Sequence, residues 1–259
     1  MAKCIWITFV CLFLASTSFG QVEIGIFGSL NYSELSPASF GLTTGIGDQF
    51  DYISGTANQN LWYLQSKSIF AYDAGIVLTT KLNPSFNFRT GVFYEVKGFA
   101  DHSYNNSGYV YPNVTDTRIQ INYLEVPLDL EYTTPVGEGK AFVGVGPFIA
   151  YALNARSSET QYDLPGGSHP DSTVKSHGPF VLSSSDKIDA GINAIFGYQF
   201  RRGISFVLSY DYSLTSIAQN LAAYNEFMGT PGQKFHFQVF RASVGYVIPR
   251  KRRFKKSRA

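Results

Sequence analysis

Twelve ionisable residues stand at alternate positions of otherwise apolar stretches: Glu23, Asp73, Lys81, Arg89, Glu95, Lys97, Glu125, Asp129, Glu131, Asp189, Asp211 and Arg241. Residues two apart on a strand share a face, so this spacing collects both signs of charge on one side of a sheet. In an enclosed space such a set has two uses. It can relay protons or ions, or it can pair into a plug that fixes register and closes a pore. A lone buried charge is costly, and the mixture of signs favours pairing, so the expectation is a structural charge network. Catalytic chemistry has little support. The four histidines are His102, His169, His177 and His236; Ser168-His169 and Ser176-His177 are adjacent pairs, but a triad also needs an orienting carboxylate in space. His169 with Asp163 and Asp171 lacks a dedicated cation-ligand spacing. No phosphate-binding loop or dinucleotide fingerprint occurs. The expectation is no catalytic residue, no cofactor and no metal.

The elements that position these charges are strands. Val22, Ile24, Ile26, Leu30 and Tyr32 alternate with Glu23, Gly25, Ser29 and Asn31; Tyr72, Ala74, Ile76, Leu78 and Leu82 alternate with Asp73, Gly75, Thr79 and Lys81. Phe86, Phe88, Val92, Tyr94 and Val96 alternate with Asn87, Arg89, Gly91, Glu95 and Lys97. Similar patterns near 117–132, 140–153, 187–200, 204–213 and 235–248 bring the total to eight. Most are far longer than the mode of about 5 to 6 residues, and about 9 to 11 tilted residues cross a bilayer.

Connections alternate as well. Asn83-Pro84, 133–139 and 201–203 are short, whereas 33–69, 99–116, 154–185 and 214–234 are long. This predicts an all-β, eight-stranded antiparallel transmembrane up-and-down β-barrel with four long external loops and short periplasmic turns. Aromatics near strand ends (Tyr32, Tyr72, Tyr132, Tyr151, Phe200, Tyr212, Phe235) suit interfacial girdles. A soluble lipocalin-like barrel or β-sandwich would show the same alternation with its faces inverted, but with shorter strands. Eight strands leave room only for side chains inside, which disfavours a diffusion porin. Inward glycines (Gly25, Gly75, Gly91, Gly144, Gly146, Gly191) are expected to make room for the Arg and Lys side chains.

Composition agrees. Charged residues are 15% of the 259-residue chain and aromatics 16%, which excludes disorder and most cytoplasmic enzymes. Lys3, the apolar run Ile5–Ala15 and Ser18-Phe19-Gly20 read as a signal peptide over 1–20. Both cysteines, Cys4 and Cys11, fall inside it, so the mature chain has no disulfide. The barrel domain is assigned to 21–248 and a basic periplasmic tail to 249–259. Without the seven cations of that tail the formal charge falls from +2 to −5. Export argues against nucleic acid as the tail's partner; a merely solvated tail is the default expectation, and contact with anionic headgroups or an acidic protein the alternative. Two phase changes are expected: a bulge where the apolar positions shift between Tyr123 and Leu124, next to Pro127, and a slip at Val239-Phe240.

The segment Asn122-Tyr123-Leu124-Glu125-Val126-Pro127-Leu128, followed by Gly144-Val145-Gly146-Pro147, resembles the N-Y-L-E-V-P-L signature of outer-membrane β-barrel (PorT-like) proteins of Bacteroidota. Tyr94-Glu95-Val96-Lys97-Gly98, Asp189-Ala190-Gly191-Ile192 and the closing Arg241-Ala242-Ser243-Val244-Gly245-Tyr246 add to the likeness. The resemblance implies residence in the bacterial outer membrane. The function expected from the residues themselves is that of a non-enzymatic barrel with a filled lumen, a membrane anchor or a surface or periplasmic interaction scaffold. Its alternatives are an accessory component of type IX protein secretion and a small-solute transport barrel. The expected partners are outer-membrane lipids, and proteins met through the surface loops, with Phe40, Phe50, Tyr52, Trp62 and Tyr63 in the first, or through the tail.

Overall fold

Strand alternation lets one face of a sheet meet lipid while the other fills an interior, and the chain uses it around a closed ring. The computed structural model describes residues 22–36, 61–106, 113–163, 173–179, 187–216 and 236–248. Residues 1–20, read above as a signal peptide, residues 249–259, Phe235, His169, Asp171 and the aromatics Phe40, Phe50 and Tyr52 lie outside the described residues. Ten strands run in order: β1 (Val22–Ser36), β2 (Leu61–Lys67), β3 (Ile69–Lys81), β4 (Phe86–Asn106), β5 (Asn113–Val136), β6 (Gly139–Asp163), β7 (Thr173–Pro179), β8 (Ile188–Gln199), β9 (Ile204–Ser213) and β10 (His236–Val247).

Eight of them close the ring β1-β3-β4-β5-β6-β8-β9-β10, every neighbour antiparallel, with β10 returning to β1 from Ser36↔His236 to Gly25↔Val247. This is an eight-stranded antiparallel up-and-down barrel. β2 and β7 prolong it beyond the ring, pairing with the outer halves of β4 and β6. The spans assigned to long loops therefore hold strand: β4 runs to Asn106, β5 starts at Asn113, β6 runs to Asp163, and β2 and β7 lie inside the first and third loops. At the opposite end the turns are tight. Asn83 Oδ1 accepts the backbone N–H of Ser85 at 2.9 Å and of Phe86 at 2.7 Å. Gly137 and Gly203 take φ of 57° and 95°, which side chains with a Cβ disfavour.

The outer face carries the belt. Ile26, Leu30, Phe70, Ile76, Val145, Ile149, Phe196, Leu208 and Val244 are exposed apolar residues. On β6 the outward apolar run goes from Ala141 to Leu153. Twelve steps of about 3.3 Å tilted by about 40° span about 30 Å, the thickness of a bilayer's hydrocarbon core. Aromatic pairs sit near both rims: Tyr32–Phe70 and Tyr210–Phe240 toward the loops, Phe86–Tyr132 and Tyr198–Phe200 toward the turns.

Neither expected phase change occurs where the sequence suggested it. In β5 the odd positions from Ile119 to Glu131 all stay buried, while their character changes from apolar to charged. The irregularity lies on the partner strand. Asn122 pairs Asn154 but Tyr123 pairs Ala152, so the extra residue belongs to β6. Its inward set then runs from Ala152 to Ala155 across the bulge. In β10, Phe237, Val239 and Arg241 are buried and Phe240 is exposed, an unbroken alternation.

Candidate functional site

The interior is layered along the barrel axis, because each strand delivers an inward residue every second position. Toward the turns, Phe27, Val77, Phe93, Phe142, Ile195, Val207 and Val247 form one apolar layer. Toward the loops, Leu35, Phe99, Ile119, Ile121, Tyr123, Phe148, Phe237 and Val239, with small residues of β6, form another. Between them lies the larger part of the ion network, around Lys97 and Arg241.

Ten of the twelve sequence-assigned charges are buried: Asp73, Arg89, Glu95, Lys97, Glu125, Asp129, Glu131, Asp189, Asp211 and Arg241. Lys97 Nζ donates to Glu125 at 2.8 Å and to Asp189 at 3.1 Å, and lies 3.3 Å from Glu95. Arg241 Nη2 donates to Glu125 Oε1 at 2.9 Å, lies 3.5 Å from Glu95 and also pairs with Asp211. Its Nε is 4.0 Å from Asp73. Nearer the turns, Arg89 is 3.6 Å from Glu131 and faces Asp129 in the β4–β5 ladder.

Carboxylates outnumber the buried cations, and neutral donors supplement three of them. Ser213 and Thr215 hydroxyls donate to Asp189 at 2.9 and 2.8 Å. Asn87 and Thr133 donate to Glu131 at 2.8 and 2.9 Å, and Asn193 donates to Asp211. These neutral partners were missed in the sequence because Asn, Ser and Thr on a strand look the same on either face. Oxygens of Glu95, Glu125 and Asp211 come within 4.8 Å of one another, an arrangement that suits a bound cation. The Arg241 guanidinium already stands among them as a covalently attached one.

Two assigned residues fall outside this cluster and correct the expectation. Lys81 is exposed at the turn-side end of β3. Glu23 sits at the same mouth, partly exposed, and pairs with Lys140 at 3.0 Å. Both share the inward parity, but the lumen opens to water at that level, so parity there does not mean burial.

The glycines serve a different purpose from the one expected. A Cβ at Gly245 or Gly25 would run into the Phe27 ring, at Gly75 into Phe93, at Gly91 into the Ile76 carbonyl, at Gly197 into Phe142 and at Gly191 into Phe148 and the Tyr212 carbonyl. At Gly144 and Gly146 it would meet Ile195 and the Leu128 carbonyl. The rings in turn carry the cations. Arg89 lies 4.9 Å from the centroid of Phe27 and 5.4 Å from that of Phe142, Lys97 4.4 Å from Phe148, and Arg241 5.9 Å from Phe93. Each buried cation therefore rests on a phenyl face whose space a glycine on a neighbouring strand provides.

The lumen narrows further at β4. Its ladder with β3 stops at Asp73↔Glu95, and pairing resumes with β2 at Lys67↔Ala100. Glu95 to Phe99 are buried at both parities, so β4 leans into the barrel there. Side chains of β1 receive it: Asn31 Nδ2 donates to the Val96 carbonyl at 3.1 Å, and Ser33 Oγ donates to Gly98 O at 2.9 Å and accepts Gly98 N–H at 3.0 Å. Outside, Arg118 Nη2 reaches across β4 to the Phe70 carbonyl at 3.1 Å.

Of the sequence motif, Tyr123, Glu125 and Pro127 point inward, Leu124 faces outward, and Asn122 binds Asn154 on the outer wall at 2.6 Å. The motif thus builds the wall and its central carboxylate. His236 packs on Tyr212 with Nδ1 3.1 Å from the Thr215 carbonyl, a place in the aromatic rim, and His177 is exposed on β7.

A sequence search among curated proteins finds no match. Among solved structures, the chain is similar to the attachment invasion locus protein Ail of Yersinia pestis (8% identity, TM-score 0.34, covering 88% of this chain and 100% of that one). It is likewise similar to Neisserial surface protein A (13%, 0.34, 88% and 99%) and to OprG of Pseudomonas aeruginosa (10%, 0.36, 88% and 96%). The family profile described as outer membrane protein beta-barrel domain matches residues 15–219. With that match spanning most of a closed eight-stranded ring, the chain belongs to the outer-membrane β-barrel domain family and resides in the bacterial outer membrane.

Proposed function

We propose that the protein is a non-enzymatic, non-conducting barrel that anchors a projecting β-sheet at the outer surface as an interaction scaffold. The observation that carries this is the pairing of a filled lumen with an extended rim. Two apolar layers enclose an ion network in which Glu95, Lys97 and Glu125 are fully buried, which supports a lumen closed among the described residues. Beyond the belt, β2, β4, β5, β6 and β7 continue as five adjacent antiparallel strands, a hydrogen-bonded support for the surface loops. The motif shared with PorT-like proteins supplies lumen and wall residues, so it supports the fold and does not favour secretion over a scaffold. Planar-bilayer recording of the purified protein tests the reading. The expected result is no unitary conductance above the lipid background; a reproducible open level would overturn the closed lumen. Mild-detergent extraction from native membranes then sorts the scaffold from a secretion subunit, since a subunit would migrate in a large discrete complex with stoichiometric companions.

A further inference from the structure

The outer wall of β5, β6 and β7 changes character where the belt ends. Leu124 and Leu153 are the last outward apolar residues, and the next outward pair, Asn122 and Asn154, are joined by a hydrogen bond. One step further, Gln120 stands opposite Arg156; then Arg118 stands opposite Ser158, with His177 of β7 beside it. Arg118, Gln120, Asn154, Arg156, Ser158 and His177 line a cleft of about 830 Å³. Lys175 is exposed two residues beyond His177 on the same face. Asp116 stands across Thr160 from Lys175, at the far edge of the patch. Glu159, by alternation, belongs to the other face.

We infer that this patch binds the phosphorylated headgroup of an anionic lipid in the outer leaflet. Depth is the first argument. Two residues of tilted strand rise about 5 Å, so Arg156 lies about 5 Å, and Arg118 and His177 about 10 Å, beyond the hydrocarbon edge. The headgroup layer is about 5 to 8 Å thick on each side, which places Arg156 inside it and His177 just above its outer margin. Chemistry is the second: the Arg156 guanidinium fork suits phosphate oxygens, the side-chain donors of Gln120, Asn154 and Ser158 complete the coordination, and Arg118, whose Nη2 donates to the Phe70 carbonyl, adds its charge from the edge. Continuity is the third. The cleft runs directly onto the apolar wall of Tyr151, Leu153 and Leu124, so a molecule carrying both acyl chains and phosphate satisfies both surfaces, whereas a soluble anion satisfies one.

Purified protein in a neutral maltoside detergent would be titrated with a diphosphorylated glucosamine glycolipid (lipid A), its dephosphorylated form and inorganic phosphate, with binding read by native mass spectrometry. The wild type should prefer the phosphorylated lipid by about tenfold or more over the dephosphorylated one. The exposed pair of substitutions Arg156→Gln with His177→Gln should remove about tenfold of that affinity, while Arg201→Gln with Arg202→Gln at the turns should leave it unchanged. Equal binding of the two lipids, unaltered affinity in the Arg156/His177 variant, or inorganic phosphate binding as tightly as the lipid would each overturn the inference. Should that variant lose its heat-modifiable folded band, salt serves instead. About 0.5 M NaCl must weaken wild-type binding of the phosphorylated lipid but not of the other, and an absent salt effect refutes the site.

Discussion

Arg241 illustrates how much one residue carries in a water-excluded interior. Its guanidinium faces carboxylates from β3, β4, β5 and β9, so replacing it with Met leaves several buried anions short of a partner. Arg241→Met should cost about 3–5 kcal/mol in urea unfolding from vesicles. Arg201→Met, in an exposed turn, should stay within about 0.5 kcal/mol. Comparable losses for the two would remove the central role of the network. The glycine–phenyl–cation stacks make a second prediction at this scale. Gly245→Ala should cost about 1–3 kcal/mol by displacing Phe27 from beneath Arg89. In a Phe27→Leu background the same substitution should cost less; strictly additive losses would show that the ring is not the obstacle. The charges were legible from parity along single strands. The rings' seats were not, since the contact between Gly245 and Phe27 crosses from β10 to β1, and no single-strand pattern encodes it.

At the scale of elements, the sequence exposed the segments with two dissimilar faces and hid those with two similar ones. Between lipid and a charged lumen, β1 and β3 alternate plainly. Beyond Ala155 both faces of β6 meet water, and Arg156-Ser157-Ser158-Glu159-Thr160 carries no period of two, so the strand there reads as loop. The displaced bulge has a similar origin. The change from Tyr123 to Glu125 marks a passage from an apolar layer to the ion network on one face, which imitates a phase slip. The outward belt yields its own test. Val145→Arg, well inside the span, should destabilise by about 2–4 kcal/mol, whereas Leu153→Arg at the rim should cost about 0–1 kcal/mol. The measure is unfolding from bilayers of matched thickness, and equal penalties would move the assigned boundary away from Asn154.

For the molecule as a whole, ring closure depends on strands at opposite ends of the chain: β1 pairs β10 over a separation of some two hundred residues, while every other ring contact joins consecutive segments. Such a ladder is entropically the slowest to form. Arg241 lies on that last strand. Until β10 docks, Asp73, Glu95, Glu125 and Asp211 have no guanidinium and hold an unclosed sheet whose inward carboxylates repel one another. The final strand thus brings both the missing hydrogen-bond ladder and the missing positive charge. Wall and counter-charge thus hang on the same strand, so a chain cut short before β10 would lose the seam of the ring and the clamp at its centre together.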